Sequence, residues 1–267
     1  MPVHLFASDP SVFPLIPVIA ESDDVRAIIY PGNRSNSEKV AALKNEAGDI
    51  PIFEHRRGEM LPDDLPDADS AVSWLYSQIL SAEILERYTS GILNMHGGAI
   101  PAYRGASVLQ WAIVNGEAEL GVTWHSLVEE VDAGPIWAES RIPIHKTATA
   151  ADIREAMLAA AIGSFTEAWT AFRSATTPLR IPDLKQGCVW PQRRPKDGLI
   201  EANWPEDRVR NMVRALCAPW PPAYVMDSGA PFAVEGISDH PEGDALPYRT
   251  QEGRIIYLCA SERPIGI

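Results

Sequence analysis

The sequence predicts an α/β fold with a mainly parallel sheet, followed by a smaller β-rich part at the C-terminus. Three observations predict it. Short apolar runs alternate with helix-like segments as far as Arg173. Pro178, Pro182, Pro191 and Pro195 then break the pattern over residues 176–198, a stretch that reads as a surface linker. Beyond Leu216, short β-like pieces are divided by turn residues.

Taken in order, Val3 to Ala7 (VHLFA) is an apolar run with the character of a first buried strand. Ser11 to Ala20 has helical composition, interrupted by Pro14 and Pro17. Val25 to Tyr30 (VRAIIY) reads as a second strand, Pro31 to Asn36 as a turn, and Ser37 to Ala47 as a helix with a serine start. Ile50 to Phe53, Ala71 to Leu75 and Gly91 to Met95 give three more strands, with a helical turn over Glu83 to Tyr88. Val108 to Asn115 reads as helix, Gly121 to Leu127 and Trp137 to Ile144 as strands, and the Ala-rich Ala150 to Arg173 as a long helix. In Pro205 to Leu216, Val209, Met212, Val213 and Leu216 fall on one helix face, with the proline at the start. This organisation divides the chain into a larger domain over residues 1–182 and a linker helix with a small β-rich subdomain over residues 183–267.

Composition narrows the function. Hydrophobic residues at 46% and charged residues at 22% exclude a disordered chain. Asp and Glu number 36 against 23 Lys and Arg, a formal charge of −13, which argues against nucleic acid as a partner because phosphate backbones are met with basic residues. No apolar run approaches the ~18 residues of a membrane span. Pro10, Pro14 and Pro17 punctuate the N-terminus, unlike the apolar core of a signal peptide. Cys188, Cys217 and Cys259 lie far apart without a C-x-x-C, and read as reduced thiols. The expectation is a cytoplasmic protein with no membrane partner and no metal. A dinucleotide-binding oxidoreductase is disfavoured, since no G-x-G-x-x-G follows the first strand.

The informative stretch is Gly91 to Ile136. Asn94 and His96 stand at i and i+2, so both side chains point to one face of a strand end, where reacting groups of α/β sheets collect. Gly97 and Gly98 follow, then I-P-A-Y-R-G over Ile100 to Gly105, then Asp132 in V-D-A-G-P. Each piece alone is weak: a single His at a strand end reads as structural, and an Asp before Gly as a turn residue.

Together, in this order and spacing, they resemble the folate-dependent formyltransferases. That family carries an Asn-x-His at a strand end, a loop with L-P-x-x-R-G and an Asp in a D-x-G turn. The likeness is greatest with the nucleotide-sugar N-formyltransferases, such as the formyltransferase domain of the UDP-aminoarabinose pathway. It covers roughly residues 71–225 and is poor at both ends. It implies a Rossmann-like formyltransferase domain with a small OB-like C-terminal subdomain.

The resemblance implies an acyl transfer from 10-formyltetrahydrofolate to an amine through a tetrahedral intermediate, with no metal. His96 is the implied general base, its ordinary pKa of ~6.5 suiting proton transfer at neutral pH. Asn94 is the implied oxyanion donor, a role worth about 2.7–4 kcal/mol where such a donor has been removed elsewhere. Asp132 is implied to orient His96 and favour its protonated form. Ser73 to Leu80 resembles the segment whose backbone lines the family's pterin pocket. This puts Trp74, Tyr76 and Ile79, with Val128, Val131 and Gly134, at the formyl donor.

For the acceptor, a small molecule and in this likeness a nucleotide-linked amino sugar, the implied residues are Tyr103, Arg104, Gly105, His125, Arg193 and Arg194. His125 alone also reads as a half-buried strand residue, and Arg193-Arg194 as a solvated linker. An enzyme formylating N-hydroxyornithine is the alternative, with methionyl-tRNA formylation and a non-catalytic binding module behind it. A homodimer is a family-level expectation. Two departures from the family pattern stand out. Gly98-Ala99-Ile100-Pro101 replaces the common Ser-Leu-Leu-Pro, and Ala7-Ser8-Asp9-Pro10 replaces a Gly-rich turn after the first strand.

Overall fold

The first strand, β1 (Pro2–Ala7), is buried from Val3 to Ala7. It is flanked on both sides by parallel partners, β2 (Asp24–Pro31) and β4 (Ser70–Trp74). A parallel strand covered on both faces has no polar side to alternate with, which is why its sequence is apolar apart from His4, itself fully buried. The remaining strands of this sheet are β3 (Ile52–His55), β5 (Ile92–His96), β7 (Glu119–Ser126) and β8 (Ile136–Pro143). A computed structural model describes residues 1–32, 37–174 and 177–266. Among these residues the sheet has seven strands in the order β3-β2-β1-β4-β5-β7-β8. Strands β3, β2, β1, β4 and β5 run parallel, and β7 pairs with β5 antiparallel. The order reverses direction between β1 and β4, the switch point beyond whose strand ends α/β sheets place their ligands.

The helices are α1 (Ile16–Ala20), α2 (Ser37–Glu46), α3 (Ala82–Glu86), α4 (Val108–Val114), α5 (Ala150–Arg173) and α6 (Glu206–Ala215). The single helix expected over residues 11–20 is divided. Pro10–Leu15 is a 3₁₀ segment, and the α-helical turns begin only at Ile16. Pro14 and Pro17 have no N–H to give the α-helical ladder. Asp9 stands where a glycine turn was the family's pattern. Its carboxylate caps this segment, accepting from the Ser11 N–H at 3.0 Å, and the Trp74 indole donates to Ser11 Oγ at 2.8 Å. The expected turn over Pro31 to Asn36 lies mostly outside the described residues.

Two short strands were not legible in the sequence: β6 (Tyr103–Gly105) and β9 (Cys188–Trp190), which pair with each other. Three residues carry too little period-two pattern to be told from loop. The third strand also begins two residues later than its apolar pattern predicts, at Ile52.

Two compact units are present. The first holds residues Met1–Arg104, Gly121–Arg141 and Leu158–Cys188. In it, Trp124 of β7 packs on Phe165 of α5 with ring centroids 5.1 Å apart, and Trp74 of β4 stands 5.8 Å from Trp124. The Trp124 indole donates to the Ala161 carbonyl at 3.1 Å, so this fully buried ring leaves no polar atom unpaired.

The second unit holds Gly105–Leu120, Ile142–Met157 and Val189–Ile267. Its sheet is antiparallel, in the order β10-β11-β13-β12, from β10 (Tyr224–Asp227), β11 (Ala230–Ser238), β12 (Leu246–Arg249) and β13 (Ile255–Ala260). The amphipathic α6 buries Val209 and Met212 of the predicted face, and Leu216 just past its end, but Ala215 is buried where Val213 stays half-buried. All three cysteines are free thiols, Cys188 exposed. No helix among the described residues is long and apolar enough to cross a membrane.

Candidate active site

The register of β5 against β7 builds the centre of the site. Asn94 lies opposite His125, Met95 opposite Trp124 and His96 opposite Thr123. Opposed residues of an antiparallel pair share a face, and faces alternate along each strand. Asn94, His96, Thr123 and His125 therefore project from one face, while Met95 and Trp124 project from the other, toward α5. The i, i+2 spacing of Asn94 and His96 does place both side chains together. It takes the neighbouring strand to add His125, which the sequence reading set among the acceptor residues.

A turn over residues 127–135 brings Asp132 to the same face. Asp132 Oδ2 lies 3.5 Å from His96 Nδ1, and Oδ1 lies 3.5 Å from His125 Nε2. Asp132 takes a left-handed backbone, φ 47°. The glycine two residues on is fixed by contact, since a Cβ on Gly134 would sit 2.0 Å from the Ser126 carbonyl oxygen. The turn is also tied from outside. Arg104, 4% exposed, donates through Nε to the Val131 carbonyl at 2.9 Å and through Nη2 to Glu130 at 2.8 Å. These guanidinium donors serve the turn that carries Asp132.

His96 is buried, and its Nε2–H donates to the Tyr103 carbonyl at 2.5 Å. A carbonyl only accepts, so in the neutral ring Nδ1 keeps its lone pair, and that lone pair is on the side of Asp132. Burial is the largest influence and holds the His96 pKa below its ordinary value. The Asp132 carboxylate opposes this, His125 adds to it, and the Tyr103 carbonyl opposes it. The ring is thus neutral at neutral pH, with an acceptor waiting beside each nitrogen should it gain a proton.

The remaining expected residues fall in different surroundings. Trp74 is fully buried on the α5 side of the sheet, so only its main chain can serve a ligand on the Asn94 face. Tyr76 is half-buried, and its hydroxyl meets His55 Nδ1 at 2.7 Å. Ile79, Val128 and Val131 are exposed, at 76%, 41% and 38%. Tyr103 is half-buried on β6.

In the second unit Gly105 adopts φ 95°, and a Cβ there would meet the Trp190 carbonyl oxygen at 2.4 Å. Arg193 lies 4.7 Å above the Trp111 ring. Its Nη2 donates to the Asp197 carbonyl, and its Nε and Nη1 are buried without a hydrogen-bond partner. Arg194 is exposed, and its main-chain N–H donates to Asp197. Sequence reading missed Glu130 and Thr123. The Thr123 hydroxyl donates to the Gly98 carbonyl at 2.8 Å and so holds the loop after His96. The alternation in T-W-H was the available signal, but it needs the strand register to be read.

A model of the formyl transferase family matches residues 18–168. Among solved structures, the chain is similar to a sugar N-formyltransferase from Shewanella sp FDAARGOS_354, with TM-score 0.71 and 17% identity over 88% of this chain and 97% of that one. It is similar to an N-formyltransferase from Helicobacter canadensis in complex with folinic acid and dTDP-3-aminofucose, with TM-score 0.68 and 16% identity over 97% of this chain and 99% of that one. It is also similar to HypX from Aquifex aeolicus in complex with tetrahydrofolic acid, with TM-score 0.64 and 19% identity. There the match covers 96% of this chain and 43% of HypX, so the chain spans less than half of that protein. These likenesses give the fold, and the family match takes in more than half of the chain. The chain belongs to the formyl transferase family.

Proposed function

We propose that the chain transfers a formyl group from 10-formyltetrahydrofolate to the amino group of a nucleotide-linked amino sugar, with Asn94, His96 and Asp132 as its catalytic residues. The observation that carries this reading is a buried His96 whose Nδ1 lies 3.5 Å from Asp132, beside a part-exposed Asn94. The relatives support the two substrates: one was solved with folinic acid and an amino sugar on dTDP, another with tetrahydrofolic acid.

The residues present fit a folate. Exposed Ile79 lies on the segment that leaves β4, and exposed Val128 and Val131 lie on the turn that leaves β7. They offer apolar surface to a flat ring, and Leu75, at φ 49°, bends the first segment as it departs. Trp74 through its main chain, Tyr76 and Gly134 complete the proposed contacts. When bound, the donor supplies an activated formyl carbon.

The neutral acceptor amine attacks the formyl carbon with its lone pair, and His96 Nδ1 takes the proton that the amine nitrogen sheds as the N–C bond forms. Asp132 stabilises the resulting imidazolium, whose second N–H is already held by the Tyr103 carbonyl. Asn94 offers an amide N–H to the formyl oxygen as charge gathers there. The new N–C bond forms, the bond from the formyl carbon to the folate nitrogen breaks, and the proton on His96 goes to that departing nitrogen. For the acceptor we propose Tyr103 and, in the second unit, Gly105, Arg193 and Arg194. Arg193, with two buried nitrogens lacking partners, is the proposed phosphate ligand. In this reading residues 1–182 form the catalytic domain and 183–267 the linker helix and small β-rich subdomain.

The test is an acceptor panel with 10-formyltetrahydrofolate. UDP-, dTDP- and GDP-linked amino sugars, N-hydroxyornithine and initiator methionyl-tRNA stand in separate wells. Release of tetrahydrofolate and the mass gain of a formyl group are read together. Turnover on one nucleotide sugar, lost in His96→Ala, is expected. Turnover only on N-hydroxyornithine or tRNA would overturn the acceptor, and failure to bind any folate would overturn the reaction.

A further inference from the structure

His125 belongs to the site's polar network, and the proposed chemistry does not use it. It is fully buried, so no substrate can touch it without rearrangement. Its two nitrogens have different neighbours. Nδ1 lies 2.9 Å from the Ser126 carbonyl oxygen. Nε2 lies 3.0 Å from Asn94 Nδ2 and 3.5 Å from Asp132 Oδ1. A carbonyl cannot donate, so Nδ1 carries hydrogen. In the neutral ring Nε2 then bears the lone pair. The neighbour within hydrogen-bond reach that can give it a hydrogen is the amide nitrogen of Asn94.

We propose that His125 is a positioning residue: as the neutral, Nδ1-protonated ring it accepts one N–H of Asn94, fixes which way the amide faces, and leaves the second N–H for the reacting oxygen. A primary amide can present either its oxygen or its nitrogen to a partner. A free Asn94 would populate both orientations, and only one of them offers a donor to a developing oxyanion. A doubly protonated His125 would donate from Nε2, and Asn94 would have to turn its oxygen inward. The neutral ring therefore selects the productive amide. Buried on the strand beside β5, His125 does this through a directional contact that a leucine of similar bulk cannot make. The role in catalysis rests on the function proposed above; the tautomer and the amide orientation do not.

Two measurements on the full-length protein separate these. Long-range ¹H–¹⁵N NMR of the histidine rings, assigned with His125→Gln, is expected to show His125 protonated at Nδ1 and bare at Nε2 at pH 7.5. The Asn94 side-chain amide is expected to show two inequivalent protons, one protected from exchange, and to lose that protection in His125→Leu. A protonated Nε2, or an Asn94 amide indifferent to His125→Leu, would overturn the proposal whether or not an acceptor has been found.

With turnover in hand, His125→Leu is expected to lower kcat by about 10²–10³-fold, as loss of one oxyanion donor does, with little change in either KM. His125→Gln, whose side-chain oxygen can accept the same N–H, is expected to restore most of kcat. In an Asn94→Ala background His125→Leu is expected to add nothing. A rise in acceptor KM with kcat unchanged would instead make His125 a substrate contact. Should His125→Leu not fold, the Gln variant and the ring spectrum still decide. Absence of turnover in the unaltered protein, with the expected spectra, would count against the proposed function alone.

Discussion

At the scale of single residues, His96 is set between opposing influences. Burial holds its pKa below the ordinary 6.5, and the Asp132 carboxylate pulls it back up. A base must be neutral to act, so kcat/KM is expected to rise with pH and level off, its acid limb centred below pH 6.5. Replacing Asp132 by Asn removes the influence that favours the charged ring. The limb is then expected to move to still lower pH while kcat falls. Profiles of both proteins between pH 4.5 and 8 check this, and a limb moving upward in Asp132→Asn would contradict it. Asn94→Ala is expected to cost about 10²–10³-fold in kcat with folate binding kept, measured by steady-state kinetics and calorimetry. The positions of Asn94 and His96 on one face were legible, because strand alternation needs no partner to be known. The place of His125 was not legible, because it depends on the register of β5 against β7.

At the scale of elements, the turn that carries Asp132 is held by packing and by one arginine. Gly134→Ala drives a methyl against the Ser126 carbonyl, which is backbone and cannot swing aside. A destabilisation of about 1–3 kcal/mol is expected by urea unfolding, with activity falling further than stability as Asp132 is displaced. Arg104→Lys keeps the charge but loses the paired geometry toward Glu130 and the Val131 carbonyl. A kcat roughly tenfold lower, with acceptor KM little changed, is expected if Arg104 acts through the turn. A KM effect alone would make it a substrate contact.

The long elements were legible for simple reasons. β1 shows the apolar run, broken only by His4, of a strand covered on both faces, and α5 the composition of a long helix. The divided segment before α1 needed the consequence of Pro14 and Pro17 to be followed through. Neither β6 nor β9 could be read, since three residues do not make a period.

At the scale of the whole molecule, the alternation of strands and helices predicts the parallel sheet. It does not predict the order β3-β2-β1-β4-β5-β7-β8, which is set by crossover packing and places β5 beside β7. The same sheet buries histidines. His4 on β1 is fully buried and bonded through Nδ1 to the Tyr88 hydroxyl at 2.8 Å. Burial, with Arg87 adding, pushes its pKa down to about 4. The unfolded chain takes up this proton near pH 6.5 and the native protein only near pH 4, so in between the unfolded state binds more protons. Stability is therefore full above pH 6.5 and is lost as pH falls toward 4, by up to about 3 kcal/mol from His4. His55 and His96 shift the same way. Urea unfolding at pH 7.5 and 4.5 is expected to show this loss, and His4→Leu to show less of it.

Formyl transfer by the Asn94, His96 and Asp132 set is tested most directly by a single turnover. A nucleotide-linked amino sugar is mixed with enzyme carrying 10-formyltetrahydrofolate, and the mass of the sugar is followed for the unaltered protein and for His96→Ala. A formyl gain in the first and none in the second is expected, with folate bound equally by both. Equal formylation by both proteins would contradict the role given to His96, and tetrahydrofolate released without a formylated sugar would contradict the reaction.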